Sequence, residues 1–323
     1  VKRLVSWRRG IAAIALLLCQ SCSHLASLSF PPPVDSAHAV PVQTFHFRDG
    51  GDTIYFALDK SMQPISAKAR TYVFVIGGSG CTSMRYFLPG YFRGLEGESG
   101  GMRIFMLHKR HIAENTWGRL GGCSDAFTRA DHPSRWLADQ EEFIRAQLAL
   151  AREQQRYPER VALVGISEGG DIVPALAQRI AAITHAAILA NGGMDAIDAY
   201  RLQLRKHGVN DTVTPALDHA PADPDAVDPA LGGRTWRYWS ELSRLKQSDA
   251  LLSLSIPVFI AMGEDDDTVP IASAWHARER FAAAGKSNLT LITYPGADHA
   301  LSDRSGSHLA DAWHALDLWL ERK

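Results

Sequence analysis

Seven short runs, at 53–58, 71–78, 103–108, 161–166, 186–192, 257–263 and 289–295, are rich in β-branched, aromatic and other apolar residues, and several are apolar without a break. A strand with one face in water alternates apolar and polar residues. An unbroken run needs apolar surroundings on both faces, as in a parallel sheet covered by helices. Helical patterns stand between the runs. In 140–155, Ile144, Leu148 and Ala151 share a face; in 271–286, Ala274, Arg278 and Phe281 do; in 308–323, Leu309, Trp313, Leu316 and Leu320 form one stripe. Such alternation predicts a doubly wound α/β architecture, a mostly parallel central sheet flanked by helices. With 323 residues, 46% of them apolar, the chain has ample material for such a core. Its net charge of −1 lacks the basic excess of nucleic-acid binders, and no nucleic-acid partner is expected.

The first 26 residues read differently. Lys2, Arg3, Arg8 and Arg9 precede the apolar run 11–19, and small polar residues follow it. A basic stretch, a short apolar stretch and a small-residue region together predict a secretory or lipoprotein signal. The apolar run is short of the roughly 20 residues that span a bilayer. Ser21-Cys22 resembles the end of a bacterial lipobox, although Cys19 stands where that pattern has Leu. Cys22 is therefore a candidate for lipidation and, through it, for anchoring to a membrane. Residues 27–43, with Pro31-Pro32-Pro33, read as a tether to a domain spanning 44–323. The expected location is the bacterial periplasm or cell envelope. In that oxidising setting Cys81 and Cys123, the two cysteines outside the signal, are candidates for a disulfide.

One segment breaks the strand–helix rhythm. Residues 195–250 are too long for a simple loop and contain an Asp/Pro-rich stretch at 211–233. They read as a cap-like insertion over one end of the sheet or as a surface excursion. Trp236, Tyr238 and Trp239 within them are candidates to line a substrate pocket or to pack the cap onto the body.

The strand at 161–166 runs directly into a Gly-x-Ser-x-Gly-Gly motif, with Ser167 between Gly165 and Gly169. So sharp a strand-to-helix turn crowds the backbone, and small neighbours let it lift a serine hydroxyl clear of the sheet at a helix N-terminus. Pro174 lies about two turns further on and predicts a kinked or irregularly started helix. A serine is a poor nucleophile without a base, and the base needs an acid to orient it. Downstream, the strand at 257–263 ends in an acid cluster, and the strand at 289–295 is followed by Asp298-His299.

The order Ser, acid, His at three strand ends resembles the α/β-hydrolase superfamily, in the style of its dienelactone-hydrolase and prolyl-oligopeptidase-like branch, over roughly residues 45–323. That branch carries its acid in G-x-x-D-x-x-V-P, which Gly263 to Pro270 matches with Asp266; Asp265 and Asp267 remain alternatives. Its histidine, in G-x-x-H, falls on His299. The resemblance implies an oxyanion hole from the N–H of Glu168 and a second N–H in the loop 76–84, either Ser79 or its neighbour Gly80. This chain has Gly77-Gly78 where many lipases and esterases have His-Gly. His108 and His111, at the same sheet end, read as structural or substrate-facing.

The resemblance implies a serine hydrolase, needing no cofactor and no metal, acting on a small-molecule ester, and the N-terminal signal implies that it is exported. A short peptide substrate is the alternative. A hydrolase-like scaffold that binds without turnover is a further one, and it predicts a broken Ser–His–Asp set.

Overall fold

The computed structural model describes residues 39–62, 68–97, 100–118 and 122–321. The signal segment 1–26, Cys22 and most of the 27–43 tether lie outside the described residues. Eight strands form one sheet: β1 (Val42–His46), β2 (Asp52–Lys60), β3 (Thr71–Ile76), β4 (Met102–Leu107), β5 (Arg160–Ile166), β6 (His185–Leu189), β7 (Val258–Gly263) and β8 (Leu289–Tyr294). Their spatial order is β1-β2-β4-β3-β5-β6-β7-β8. β1 and β2 pair antiparallel, as do β2 and β4; all other neighbours are parallel.

All seven predicted strands are present, the run at 186–192 ending at Leu189 and that at 71–78 at Ile76. β1 is an addition. Its sequence, VQTFH, is half exposed at the sheet edge and gives no apolar run. Val42 and Gln43 pair with Phe56 and Tyr55, so the sheet begins inside the stretch read as tether.

The helices of the described residues are α1 (Asp125–Ala130), α2 (Pro133–Glu153), α3 (Val173–Arg179), α4 (Ala196–Lys206), α5 (Trp236–Arg244), α6 (Gln247–Ser253), α7 (Ala272–Ala283) and α8 (Leu309–Leu320). The central strands bury both faces, which explains their unbroken apolar sequences. Phe74 and Ile76 of β3 face a layer with Phe143, Ile144 and Leu148 of α2 and Leu176 of α3. Val73 and Val75 face the other way, to a layer with Phe92 and with Trp313, Leu316 and Leu320 of α8. Each fully buried Val, Leu or Phe in these layers contributes roughly 1.5–3 kcal/mol by leaving water. The α7 stripe differs in one member: Ala274, Ala277 and Phe281 are buried, whereas Arg278 faces solvent. No helix among the described residues is long and apolar enough to cross a membrane.

Residues 195–250 are docked rather than free. Glu241 of α5 accepts from Ser134 N (2.7 Å) and lies 3.1 Å from His132 Nδ1, at the start of α2. α6 packs against α3 and α7 and so belongs to the flank of the sheet. From α4, Gln203 Nε2 donates to Asp267 O (3.1 Å) and Lys206 Nζ to Asp266 O (3.1 Å). The insertion therefore braces the acid-bearing loop that follows β7.

Candidate active site

β5 ends at Ile166, and the chain reverses through Ser167 at φ 53°, a left-handed backbone that non-glycine residues seldom adopt. The neighbouring glycines are sterically required. A Cβ on Gly165 would stand 2.5 Å from Gly170 Cα, and one on Gly169 would collide with the carbonyl oxygens of Ile76 and Gly77. The turn continues as a 3₁₀ segment, Ser167–Ile172, and α3 starts only at Val173. Pro174 thus lies in the first turn of the α-helix, where its missing N–H costs no intrahelical bond. The helix starts irregularly, one of the two outcomes that Pro174 predicts. Asn191 Nδ2 donates to Ser167 O (3.1 Å) and to Asp171 Oδ1 (2.8 Å), and Gln247 Nε2 donates to Gly170 O (3.0 Å), holding the turn from beneath.

His299 reaches this turn from the loop after β8. Its Nε2 lies 2.9 Å from Ser167 Oγ, and its Nδ1 lies 2.7 Å from Asp266 Oδ2. The carboxylate can only accept, so Nδ1 carries the proton and Nε2 is left to accept from the serine hydroxyl. Asp266 is fully buried, and its other oxygen accepts the N–H groups of Thr268 (2.7 Å) and Val269 (2.8 Å). Asp265 and Asp267 are exposed, and Asp267 pairs with Lys206 (2.7 Å). Of the three adjacent acids, only Asp266 is brought to the imidazole.

The loop after β3 runs beside the serine. A Cβ on Gly78 would lie 3.2 Å from both Ile166 O and Ser167 Cβ. Cys81 and Cys123 are joined by a disulfide that ties this loop to the segment before α1. Gly118 packs against the bond so closely that a Cβ there would strike Cys81 Sγ. His108 is structural. It is buried against Phe56, and its Nε2 accepts Met84 N–H (3.0 Å). Burial lowers its pKa to about 4, so it is neutral at pH 7 and suited to that acceptor role.

Of the two roles open to the aromatic cluster of the insertion, burial favours packing for Trp239 and Tyr238. Trp239 is buried, donates from Nε1 to Leu231 O (2.9 Å) and packs between Tyr200 and Tyr238. It is a core residue of the insertion, since every part of the ring is already taken up by packing. Tyr238 is buried too, and its hydroxyl donates to Glu168 Oε1 (2.7 Å), so it contacts the nucleophile turn rather than an open pocket. Burial, then the Glu168 charge, raises its pKa well above the phenol range and keeps the donor protonated. Trp236 is half-buried.

The surroundings of the Glu168 side chain leave no signature in the sequence. Lys109 bridges Asp131 (2.7 Å) and Glu168, and Arg234 contacts the same two carboxylates. These residues come from four separate segments with no spacing rule among them, so no motif announces them.

Asp171 is buried in the nucleophile turn, and its pKa is pushed up to about 8. Burial is the main cause; the Asn191 hydrogen bond opposes it and the Glu168 charge adds to it. Folding thus strengthens proton binding at Asp171. The stability this confers is full below about pH 4 and is lost as pH rises through about 8. In Asp171→Asn, where the amide does not titrate, the fall in melting temperature between pH 5 and pH 8.5 is expected to be shallower than in wild type. An identical slope in the two proteins would show that Asp171 titrates elsewhere.

Three solved structures of similar shape are distant in sequence. Est1E from Butyrivibrio proteoclasticus aligns with 88% of this chain and 100% of its own at 15% identity and a TM-score of 0.57. A soluble variant of monoglyceride lipase from Saccharomyces cerevisiae aligns with 91% of this chain and 98% of its own, at 16% identity and a TM-score of 0.57. Acylaminoacyl peptidase from Pyrococcus horikoshii aligns with 88% of this chain but only 42% of its own, at 14% identity and a TM-score of 0.56. At such identities the likeness is one of fold. No curated protein matches the sequence. Residues 141–303, which run from α2 through β5 and its turn to the loop that carries His299, match the family described as BAAT / Acyl-CoA thioester hydrolase C terminal. That match takes in half of the chain, and with the sheet order and the three strand-end motifs it places the protein in that family, among the serine hydrolases of the α/β-hydrolase superfamily.

Proposed function

We propose that the protein is an exported serine hydrolase that cleaves a carboxylic ester through an acyl-enzyme, with Ser167, His299 and Asp266 as a catalytic triad. The hydrogen-bond chain from Ser167 Oγ through the imidazole to a buried carboxylate carries this reading. Ser167 Oγ attacks the acyl carbonyl while His299 Nε2 takes its proton. Asp266 keeps the ring oriented and stabilises the imidazolium that forms. The carbonyl oxygen becomes an oxyanion, received by the N–H of Glu168 and the N–H of Ser79. Among the described residues neither the Ser79 N–H nor that of its neighbour Gly80 meets an acceptor. As the adduct collapses, the imidazolium returns its proton to the leaving alkoxide. Water, deprotonated by the same imidazole, then attacks the acyl-enzyme, releases the acid and restores Ser167. The Cys81–Cys123 bond supports export to an oxidising compartment.

A second reading follows from the family's description, which names acyl-CoA thioesters. A thioester passes through the same tetrahedral adduct with a thiolate as leaving group, and the same residues serve it. The purified protein is expected to label at Ser167 with a fluorophosphonate and to release p-nitrophenol from acyl esters of graded chain length. Thioesters with the same acyl groups, assayed in parallel, rank the two readings by kcat/KM. A wild-type protein that neither labels nor turns over any of these substrates would sink both.

A further inference from the structure

We propose that Lys109, Asp131 and Arg234 are positioning residues: they clamp the Glu168 carboxylate and so hold the backbone N–H that follows the nucleophile where the oxyanion forms. The inference rests on the triad and oxyanion hole proposed above. It adds a role for four charged side chains which that mechanism leaves unused.

The four side chains form a closed ring of alternating charge. Lys109 Nζ contacts one oxygen of Asp131 and one of Glu168; Arg234 contacts the other oxygen of each. Their side chains are between 0 and 13% exposed. Two aromatic rings close the set. Lys109 Nζ stands 4.0 Å from the Trp136 ring centroid, and the Arg234 guanidinium carbon stands 4.4 Å from that of Tyr238. Trp136 Nε1 donates to Asp131 (2.9 Å), and Tyr238 donates to Glu168. Burial opposes the charge on Asp131, yet Lys109 and then Arg234 bring its pKa below the ordinary carboxylate value, so Asp131 stays ionised.

Stability alone accounts poorly for such a ring. Desolvating four charges costs about as much as their attraction returns, and apolar packing of equal volume does as well or better. What ion pairs supply and apolar contacts do not is direction. Glu168 is adjacent to Ser167 in the strained turn, so fixing its carboxylate from both sides fixes the peptide plane between the two residues. The fixed points are distant in the chain. Lys109 follows β4, Asp131 caps α1, and Arg234 and Tyr238 belong to the docked insertion. The insertion thereby reaches the reacting centre through Glu168. An oxyanion donor works only when it is already in place as charge develops.

Glu168→Gln keeps the shape of the side chain and removes its charge; Arg234→Met removes one clamp. Both are measured against wild type on p-nitrophenyl butyrate, together with inhibition by a trifluoromethyl ketone, which forms a tetrahedral adduct on the serine. Loss of an oxyanion donor costs about 10²- to 10³-fold in kcat, and misplacing one is expected to cost part of that, about 10- to 100-fold. KM should shift less than about threefold, because ground-state binding does not use the oxyanion site. The inhibition constant of the ketone should rise by the factor by which kcat/KM falls. Circular dichroism melting identifies the folded variants, and Glu168→Gln carries the test should Arg234→Met fail to fold. Folded variants that keep wild-type kcat, or that lose kcat while the ketone binds unchanged, overturn the inference alone. A wild-type protein that neither labels with fluorophosphonate nor turns over overturns it together with the triad.

Discussion

Ser167→Ala is expected to lower kcat for p-nitrophenyl esters by about 10⁴- to 10⁶-fold, the range seen when the nucleophile of a serine triad is removed. The loss follows from the mechanism rather than from the fold. Alanine keeps the Cβ, beside which Gly78 presents no side chain of its own, and deletes only the Oγ to which His299 is aimed. The left-handed backbone at φ 53° is no easier for alanine than for serine, so stability should change little. KM, where measurable, should stay close to wild type. Fluorophosphonate labelling should disappear. Residual turnover about 10³-fold above water is compatible with the reading, because the oxyanion donors remain. Turnover within tenfold of wild type in a folded Ser167→Ala protein would show that another group is the nucleophile.

The strands and the three strand-end residues were legible for one reason: each carries a local signature. β3 and β5 are buried on both faces, and burial of that kind writes an unbroken apolar run. Ser167 sits in a turn whose crowding admits only glycine at positions 165 and 169, so steric demand is visible in the letters. The rest depends on distance in three dimensions. β1 is an edge strand with one half-exposed face and leaves no apolar trace. Lys109 and Arg234 meet Glu168, and Asp131 joins the two cations, from segments up to 125 residues apart, and charged residues so spaced look like any solvated surface. Trp239 and Tyr238 read equally well as pocket lining or packing, because an aromatic side chain suits both. Packing wins for Trp239 because its N–H is satisfied inside the insertion by Leu231, and Tyr238 is turned inward by its bond to Glu168.

The acid cluster shows what backbone geometry adds to a motif. Asp266→Asn is expected to reduce kcat by about 10³- to 10⁴-fold, by analogy of role with other triad acids, while Asp265→Asn and Asp267→Asn stay within about twofold. The large effect comes from the direction of one amide. Asp266 Oδ1 accepts two backbone N–H groups, from Thr268 and Val269, while Oδ2 faces His299 Nδ1. In the asparagine variant the amide NH₂ must take one of these two places. Facing Thr268 and Val269 it would oppose two donors and forfeit two buried hydrogen bonds, so the amide oxygen stays there and NH₂ turns to the imidazole. A donor at that place makes Nδ1 the acceptor and puts the ring proton on Nε2. Nε2 can then no longer accept from Ser167, and the base is lost although every heavy atom stays in place. Melting should change little because the shape is conserved in a fully buried site. Asp267 pairs with Lys206 at the surface, where such a pair is worth at most about 1 kcal/mol, and neither it nor Asp265 touches the imidazole. Steady-state kinetics of the three variants on one p-nitrophenyl ester is the check. A large loss in Asp265→Asn or Asp267→Asn with Asp266→Asn unimpaired would move the acid by one residue and overturn the geometry on which the triad rests.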